Sequence, residues 1–424
     1  MVALQPSFAV AVGIACMLQT ATTTPTAAAH DYDAETSPPA SDETANTGSG
    51  FSALTPSYYP PNGHCTSFLI PLPLTYTAPS LFATPDAPPR WTSPFELQDV
   101  LATLTARAAA NYTSPVGAPQ TYSGRYDVAA SFCTPRTVDG SGREKTVLLA
   151  THGIGPGRAH WNTPYRPEEY NFVQWALGRG YSVFFYDRVG CGASSRISGF
   201  ESQLATAKTV LQSLATAIKA GAHTPGITAA KVVLLGFSFG SYATHAAIAE
   251  TPAIADAVVL TAFSMNASAI NLNGLVRSFV PRIAREENPA LYGDRDEAYL
   301  TWPSVLDLVM NYFKLPSYSP SVALFTESAK QPFSIGEFLT FSSPASTDAA
   351  AWDKPALHLT GELDYIVCDG YCPGVFEEPA RTLYKNARPL QLSLHPGASH
   401  HVFFHRNATG AFGVVTDFLE RNGL

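Results

Sequence analysis

The chain is poor in charge: only 14% of its 424 residues are Asp, Glu, Lys or Arg. The 26 basic residues are outnumbered by 34 acidic ones, for a net charge of −8. That leaves no basic footprint, so nucleic acid and anionic membrane are not expected partners. Long apolar runs are also missing, which excludes a stable bilayer span. The run from Phe8 to Leu18 is too short to cross a membrane and reads as the core of a secretory signal. It has no Lys or Arg ahead of it. Ala27-Ala28-Ala29, or Ala21, offers the small residues of a cleavage site. No internal repeat is visible.

Cysteine is scarce too. Of six, Cys16 lies in the signal segment, leaving Cys65, Cys133, Cys191, Cys368 and Cys372. An odd number in a secreted chain leaves one thiol unpaired. Cys65 and Cys133 fall on two runs that read as the first, antiparallel strands, so a Cys65–Cys133 bridge would staple them. Cys368 and Cys372 flank a short loop that a second bridge would stiffen. A zinc site on that C-x3-C spacing would need a second Cys/His pair, and none is nearby, so no metal is expected. Cys191 is then the free thiol. Three sequons, at Asn111, Asn266 and Asn407, agree with secretion and glycosylation.

What is present is concentrated in a few short motifs. The apolar run Val232–Leu235 ends in Gly236-Phe237-Ser238-Phe239-Gly240 and passes at once into small residues suited to a helix. A strand, G-x-S-x-G and a helix form a nucleophile elbow. The tight turn strains the backbone of its central residue, so its flanks must lack bulk. The turn lifts the Ser238 hydroxyl above the sheet edge, and the N–H groups of the new helix converge on the same point.

An acid and a base should follow in that order. The strand-like run Ala356–Thr360 leads into Gly361-Glu362-Leu363-Asp364. Asp364 therefore sits at a strand's carboxyl end, where ligands of open α/β sheets bind. Glu362 and Asp369 are lesser candidates for the acid. The run Leu390–Leu394 leads into His395-Pro396-Gly397-Ala398-Ser399-His400-His401. His400 follows the small residues that let a loop approach, so it is preferred to His401 as the base. Upstream, Thr146–Ala150 is followed by His152-Gly153-Ile154-Gly155. Such a turn supplies one oxyanion donor, the Ile154 N–H, with the Phe239 N–H as the other.

Tyr186 is followed by Asp187-Arg188-Val189-Gly190-Cys191-Gly192-Ala193-Ser194. With this loop the chain resembles the α/β-hydrolase family, in the group that carries D-x-x-G-x-G-x-S. Within it the chain is similar to uncharacterised secreted fungal hydrolases. The resemblance covers residues 145–264 and 351–424. It implies a mostly parallel, doubly wound α/β sheet and serine catalysis without a cofactor. Epoxide and haloalkane hydrolases of this family carry Asp at the elbow, so Ser238 argues against both.

The strands expected near 146, 182, 232, 257, 356 and 390 alternate with helices or insertions, as a parallel sheet requires. Helices are expected over 167–180 and 202–220. The stretch between Ala262 and Ala356 is too long for a crossover. It is expected to form a cap of short helices rich in aromatic residues. The expected organisation is a signal peptide at 1–29, a disordered linker at 30–60, a hydrolase core at 61–264 and 351–424, and the cap at 265–350. The expected activity is cleavage of a neutral, moderately apolar ester or lactone. The alternatives are acyl transfer to an alcohol, including lactone formation, and a non-catalytic binding protein. A proline-releasing peptidase would need an amine-binding acidic pair, and none stands out.

Overall fold

The structure is a computed structural model that describes residues 58–424. The signal segment and nearly all of the linker lie outside the described residues. The first described residue, Tyr58, donates its hydroxyl to the Gln174 side chain at 2.6 Å.

Among the described residues eight strands, numbered in chain order with the ranges given below, form one sheet in the order β1-β2-β4-β3-β5-β6-β10-β11. The first two, β1 (Gly63–Leu81) and β2 (Val116–Pro135), are long and antiparallel. Along β1 the residues Phe68, Ile70, Leu72, Leu74 and Tyr76 are buried in alternation. That period of two marks a strand with one face on the core. Cys65 lies directly opposite Cys133, and the two are joined by a disulfide. Next come β3 (Thr146–Thr151), β4 (Ser182–Tyr186), β5 (Lys231–Phe237) and β6 (Ala257–Thr261). Except for Lys231, their residues are buried. Continuous apolar runs are what a parallel strand covered on both faces demands.

Two helices fix the elbow's surroundings. Leu204–Lys219 buries Leu204, Val210, Leu211, Leu214 and Ile218 along one stripe. Phe239–Glu250 is buried along almost its whole length, which its small residues permit. The helix expected over 167–180 is two pieces, Pro167–Tyr170 and Phe172–Gly178. Asn171 separates them in an extended conformation, and its side chain caps the second piece by accepting from the Gln174 N–H. Asparagine favours caps over helix interiors because its side chain competes for backbone donors.

After β6 the chain leaves the sheet, returning at β10. The intervening segment holds short helices, the longer ones being Leu272–Phe279, Val305–Tyr312, Pro320–Ser328 and Ile335–Thr340. It also holds a small antiparallel sheet that was not expected, made of β7 (Arg282–Ile283), β8 (Tyr299–Thr301) and β9 (Phe333–Ser334). Strands of two or three residues show no alternation that a sequence could reveal. Its aromatics pack mainly on one another: Phe279 stacks on Trp302 at 5.3 Å, and Phe333 lies 5.6 Å from Phe338. Leu306 and Met310 face solvent instead. The sheet closes with β10 (Ala356–Gly361) and β11 (Leu390–His395), parallel to each other. Among the described residues no helix is long and apolar enough to cross a membrane.

Candidate active site

Ser238 joins β5 to the helix Phe239–Glu250 with φ +52° and ψ −119°. A non-glycine residue there is strained by about 1–3 kcal/mol and persists only when its surroundings hold it. Its N–H donates to Thr261 O at 2.9 Å, and its C=O accepts from Ser241 N at 2.7 Å. A Cβ on Gly240 would lie 2.1 Å from Thr151 O, so the helix reaches β3 this closely only with glycine.

Asp364 follows β10 and caps the short helix Tyr365–Cys368, its Oδ1 accepting from the N–H groups of Ile366 and Val367. Its Oδ2 lies 2.8 Å from His400 Nδ1. His400 Nε2 lies 2.7 Å from Ser238 Oγ. The carboxylate holds the proton on Nδ1, which leaves Nε2 free to accept from the serine hydroxyl. Asp364 and His400 are fully buried, and Ser238 is 9% exposed.

The other candidates are engaged elsewhere. Glu362 accepts from Gly397 N at 2.8 Å, and Asp369 accepts from the Asn271 side chain at 3.2 Å. His401 turns into an aromatic nest of Phe237, Tyr312, Phe313 and Phe404. Neither of its ring nitrogens has a hydrogen-bond partner among the described residues. Burial holds this imidazole neutral, well below the usual histidine range.

The turn after β3 lies against the elbow: a Cβ on Gly153 would meet Ser238 Cβ at 2.8 Å. This places the Ile154 peptide beside the serine. Phe239 is the first residue of its helix, so its N–H has no intrahelical acceptor. His152 Nε2 accepts from Arg188 N at 3.0 Å, which puts the ring proton on Nδ1, and Nδ1 donates to Gly153 O at 2.7 Å. Burial keeps this imidazole neutral as well.

Three neighbours were not foreseen. Tyr312 lies 5.3 Å from the His400 ring, edge to face, and donates its hydroxyl to Ile154 O at 2.8 Å. His160 stacks on Phe237 at 3.9 Å, with neither ring nitrogen hydrogen-bonded among the described residues. Arg188 forms a buried ion pair with Glu337 of the inserted segment. All three contacts join residues far apart in the chain, and only the D-R-x-G loop around Arg188 gave any sequence signal.

Cys368 and Cys372 are bonded just past Asp364. Cys191 is free and buried, and burial pushes its thiol up to about 12. It is therefore protonated and unreactive. An open groove of about 470 Å³, lined by Ser268–Asn273, Cys368, Asp369 and Val375, runs beside the acid loop and not over Ser238. Asn111 and Asn407 are exposed. Asn266 is half-buried, with its amide donating to Val375 O at 3.1 Å. Among the described residues no group of three or more His, Cys, Asp or Glu is arranged to hold a metal ion.

Buried histidines give the protein an acid limit. Burial lowers His245 and His405 to about 4 and His358 to about 3. These groups stay neutral in the folded protein but take a proton in the unfolded chain below about pH 6.5. Their contribution to stability is whole above that pH and is lost as pH falls toward 4. The slope is at most about 1.4 kcal/mol per pH unit for each group. The thermal midpoint should fall steadily from about pH 7 to about pH 4.5. A flat or rising midpoint over that range would contradict the burial of these rings.

The geometry is that of a hydrogen-bonded serine, histidine and aspartate at one edge of a mostly parallel sheet. The model of the alpha/beta hydrolase family matches residues 147–411, and the chain belongs to that family. Solved structures with a similar fold include a thermophilic esterase from Thermogutta terrifontis. It is 18% identical, with a TM-score of 0.47, over 71% of this chain and 96% of the esterase. A monoacylglycerol lipase from Paleococcus ferrophilus is 16% identical, with a TM-score of 0.45, over 66% of this chain and 95% of the lipase. The alpha/beta hydrolase GrgF from Penicillium sp. sh18 is 17% identical, with a TM-score of 0.45, over 70% and 94%. A search of curated protein sequences found no match.

Proposed function

We propose that this alpha/beta hydrolase cleaves a neutral, moderately apolar carboxylic ester or lactone through an acyl-enzyme on Ser238. The hydrogen-bonded chain Asp364–His400–Ser238 carries the reading. Ser238 Oγ attacks the carbonyl carbon as its proton passes to His400 Nε2. The Ile154 and Phe239 N–H groups receive the developing oxyanion. The tetrahedral species collapses, His400 returns the proton to the leaving alcohol, and an acyl-Ser238 ester remains. Water, deprotonated by His400, then releases the acid. Asp364 holds the imidazole in its Nδ1–H tautomer throughout.

The apolar preference rests on what surrounds the serine. Phe237, Phe239 and Tyr312 are buried aromatics near the triad, and the nearby cation Arg188 is neutralised by Glu337. Each methylene buried in such surroundings contributes about 0.8 kcal/mol, roughly fourfold in binding. Turnover of p-nitrophenyl esters should rise from acetate toward medium chains and then fall. A flat profile, or a best substrate with a charged acyl group, would overturn this part.

Burial of Ser238 to 9% exposure favours a second reading, in which an alcohol and not water takes the acyl group. Adding alcohol to the same assay decides between them, because a transferase would form ester product in preference to acid. Secretion and glycosylation belong to the same proposal. The two disulfides and the exposed sequons Asn111 and Asn407 support them, since disulfides persist in oxidising compartments. Recovery of the chain from cytosol with five free thiols would speak against secretion.

A further inference from the structure

Arg188 is among the most deeply buried side chains in the protein, yet the mechanism above does not use it. Its Nη2 donates to Gly153 O at 3.1 Å, the same oxygen that accepts from His152 Nδ1. Its guanidinium carbon lies 4.3 Å from the centre of the Phe239 ring. Its Nη1 pairs with Glu337 Oε1. The Gly153 carbonyl and the Ile154 N–H belong to one peptide unit. In a planar trans peptide these two groups point in opposite directions. Two donors fixed on the carbonyl therefore fix the direction of the N–H. They also polarise the peptide, which strengthens that N–H as a donor.

Glu337 supplies the other half of the arrangement. It lies in the helix Ile335–Thr340 of the inserted segment, where its Oε2 accepts from Ser334 N at 3.2 Å and its own N–H donates to Ser334 Oγ at 2.9 Å. That helix is tied to the loop after the D-x-x-G-x-G motif, where Gly336 N donates to Gly199 O at 3.1 Å. A buried guanidinium without a counter-charge is costly, so Glu337 is what allows Arg188 to remain against the Gly153 carbonyl.

We propose that Arg188 is a positioning residue of the oxyanion hole, orienting the Ile154 N–H through Gly153 O and the Phe239 end through its ring, and that Glu337 locks it there. The oxyanion hole is then complete only when the inserted segment is seated. This rests on the serine acyl-transfer reading, because it assigns Ile154 and Phe239 to the oxyanion.

The test uses R188K and the double variant R188M/E337Q. R188K keeps the charge but not the forked donor. R188M/E337Q removes both buried charges at once, which avoids stranding either one and protects the fold. Loss of a whole oxyanion donor costs about 100- to 1,000-fold in kcat. Misorientation of one donor should cost about tenfold to 100-fold in kcat, with KM changed by less than about threefold. Affinity for a trifluoromethyl ketone, whose serine adduct carries an oxyanion, should fall by the same factor as kcat. A purely structural ion pair would lower the melting temperature without this split. Unchanged kcat and unchanged ketone affinity in folded R188M/E337Q would overturn the assignment. If Ser238→Ala keeps full activity, the serine reading itself has failed. If Ser238→Ala is inactive while the Arg188 variants behave as wild type, only the positioning role has failed.

Discussion

Ser238→Ala is expected to abolish ester turnover while leaving the fold intact. The loss should be several orders of magnitude, on the order of 10⁴ to 10⁶ in kcat, because the covalent route disappears and only binding and the oxyanion donors remain. The melting temperature should hold or rise. Ser238 sits at φ +52° because the elbow demands it, and its hydroxyl is held by His400 alone among the contacts described. Alanine at that position meets the same backbone strain and buries nothing new. Initial rates on a medium-chain p-nitrophenyl ester, with a melt on the same sample, measure both quantities. Turnover within about tenfold of wild type would remove the nucleophile assignment.

The second large effect separates two adjacent histidines. His400→Ala should match the serine defect, because it removes the only imidazole among the described residues within hydrogen-bond reach of Ser238 Oγ. His401→Ala should keep most of kcat but lose stability. Its ring fills space among Phe237, Tyr312, Phe313 and Phe404. Emptying a buried aromatic-sized site costs about 3 to 5 kcal/mol. Kinetics normalised to folded protein, beside thermal melts of both variants, tell them apart. An inactive but stable His401→Ala variant, with His400→Ala active, would reverse the assignment.

Much of the site was legible because each of its parts is announced locally. Ser238, Asp364 and His400 each stand just past an apolar strand run, in a stretch holding glycine or other small residues. A doubly wound sheet brings the carboxyl ends of such strands to one edge. Of Glu362, Asp364 and Asp369, the one hydrogen-bonded to His400 is Asp364, which follows the end of β10. The break at Asn171 was also written locally, in an asparagine three residues before Gln174, but the flanking Pro and Gly suggested one helix.

What stayed hidden depends on contacts between distant segments. Arg188 and Glu337 are 149 positions apart, and neither has a local pattern that names the other. Tyr312 was one of many aromatics in the insertion. Its placement over His400 follows from how the helix Val305–Tyr312 docks, not from its own sequence. Leu306 and Met310, four residues apart on that helix, are apolar yet face solvent. A helix this short shows too few turns for its buried face to be told from its exposed one. The strands β7, β8 and β9 were hidden for the same reason.

The central claim is that Ser238 is an activated nucleophile, and covalent trapping tests it most directly. The folded protein is treated with a fluorophosphonate, digested and mapped by mass. The account predicts one adduct per chain, on Ser238. It should be absent from Ser238→Ala, strongly slowed in His400→Ala and close to normal in His401→Ala. An unmodified Ser238 in folded, untreated-stable protein after prolonged exposure, or an adduct on a different residue, would contradict it.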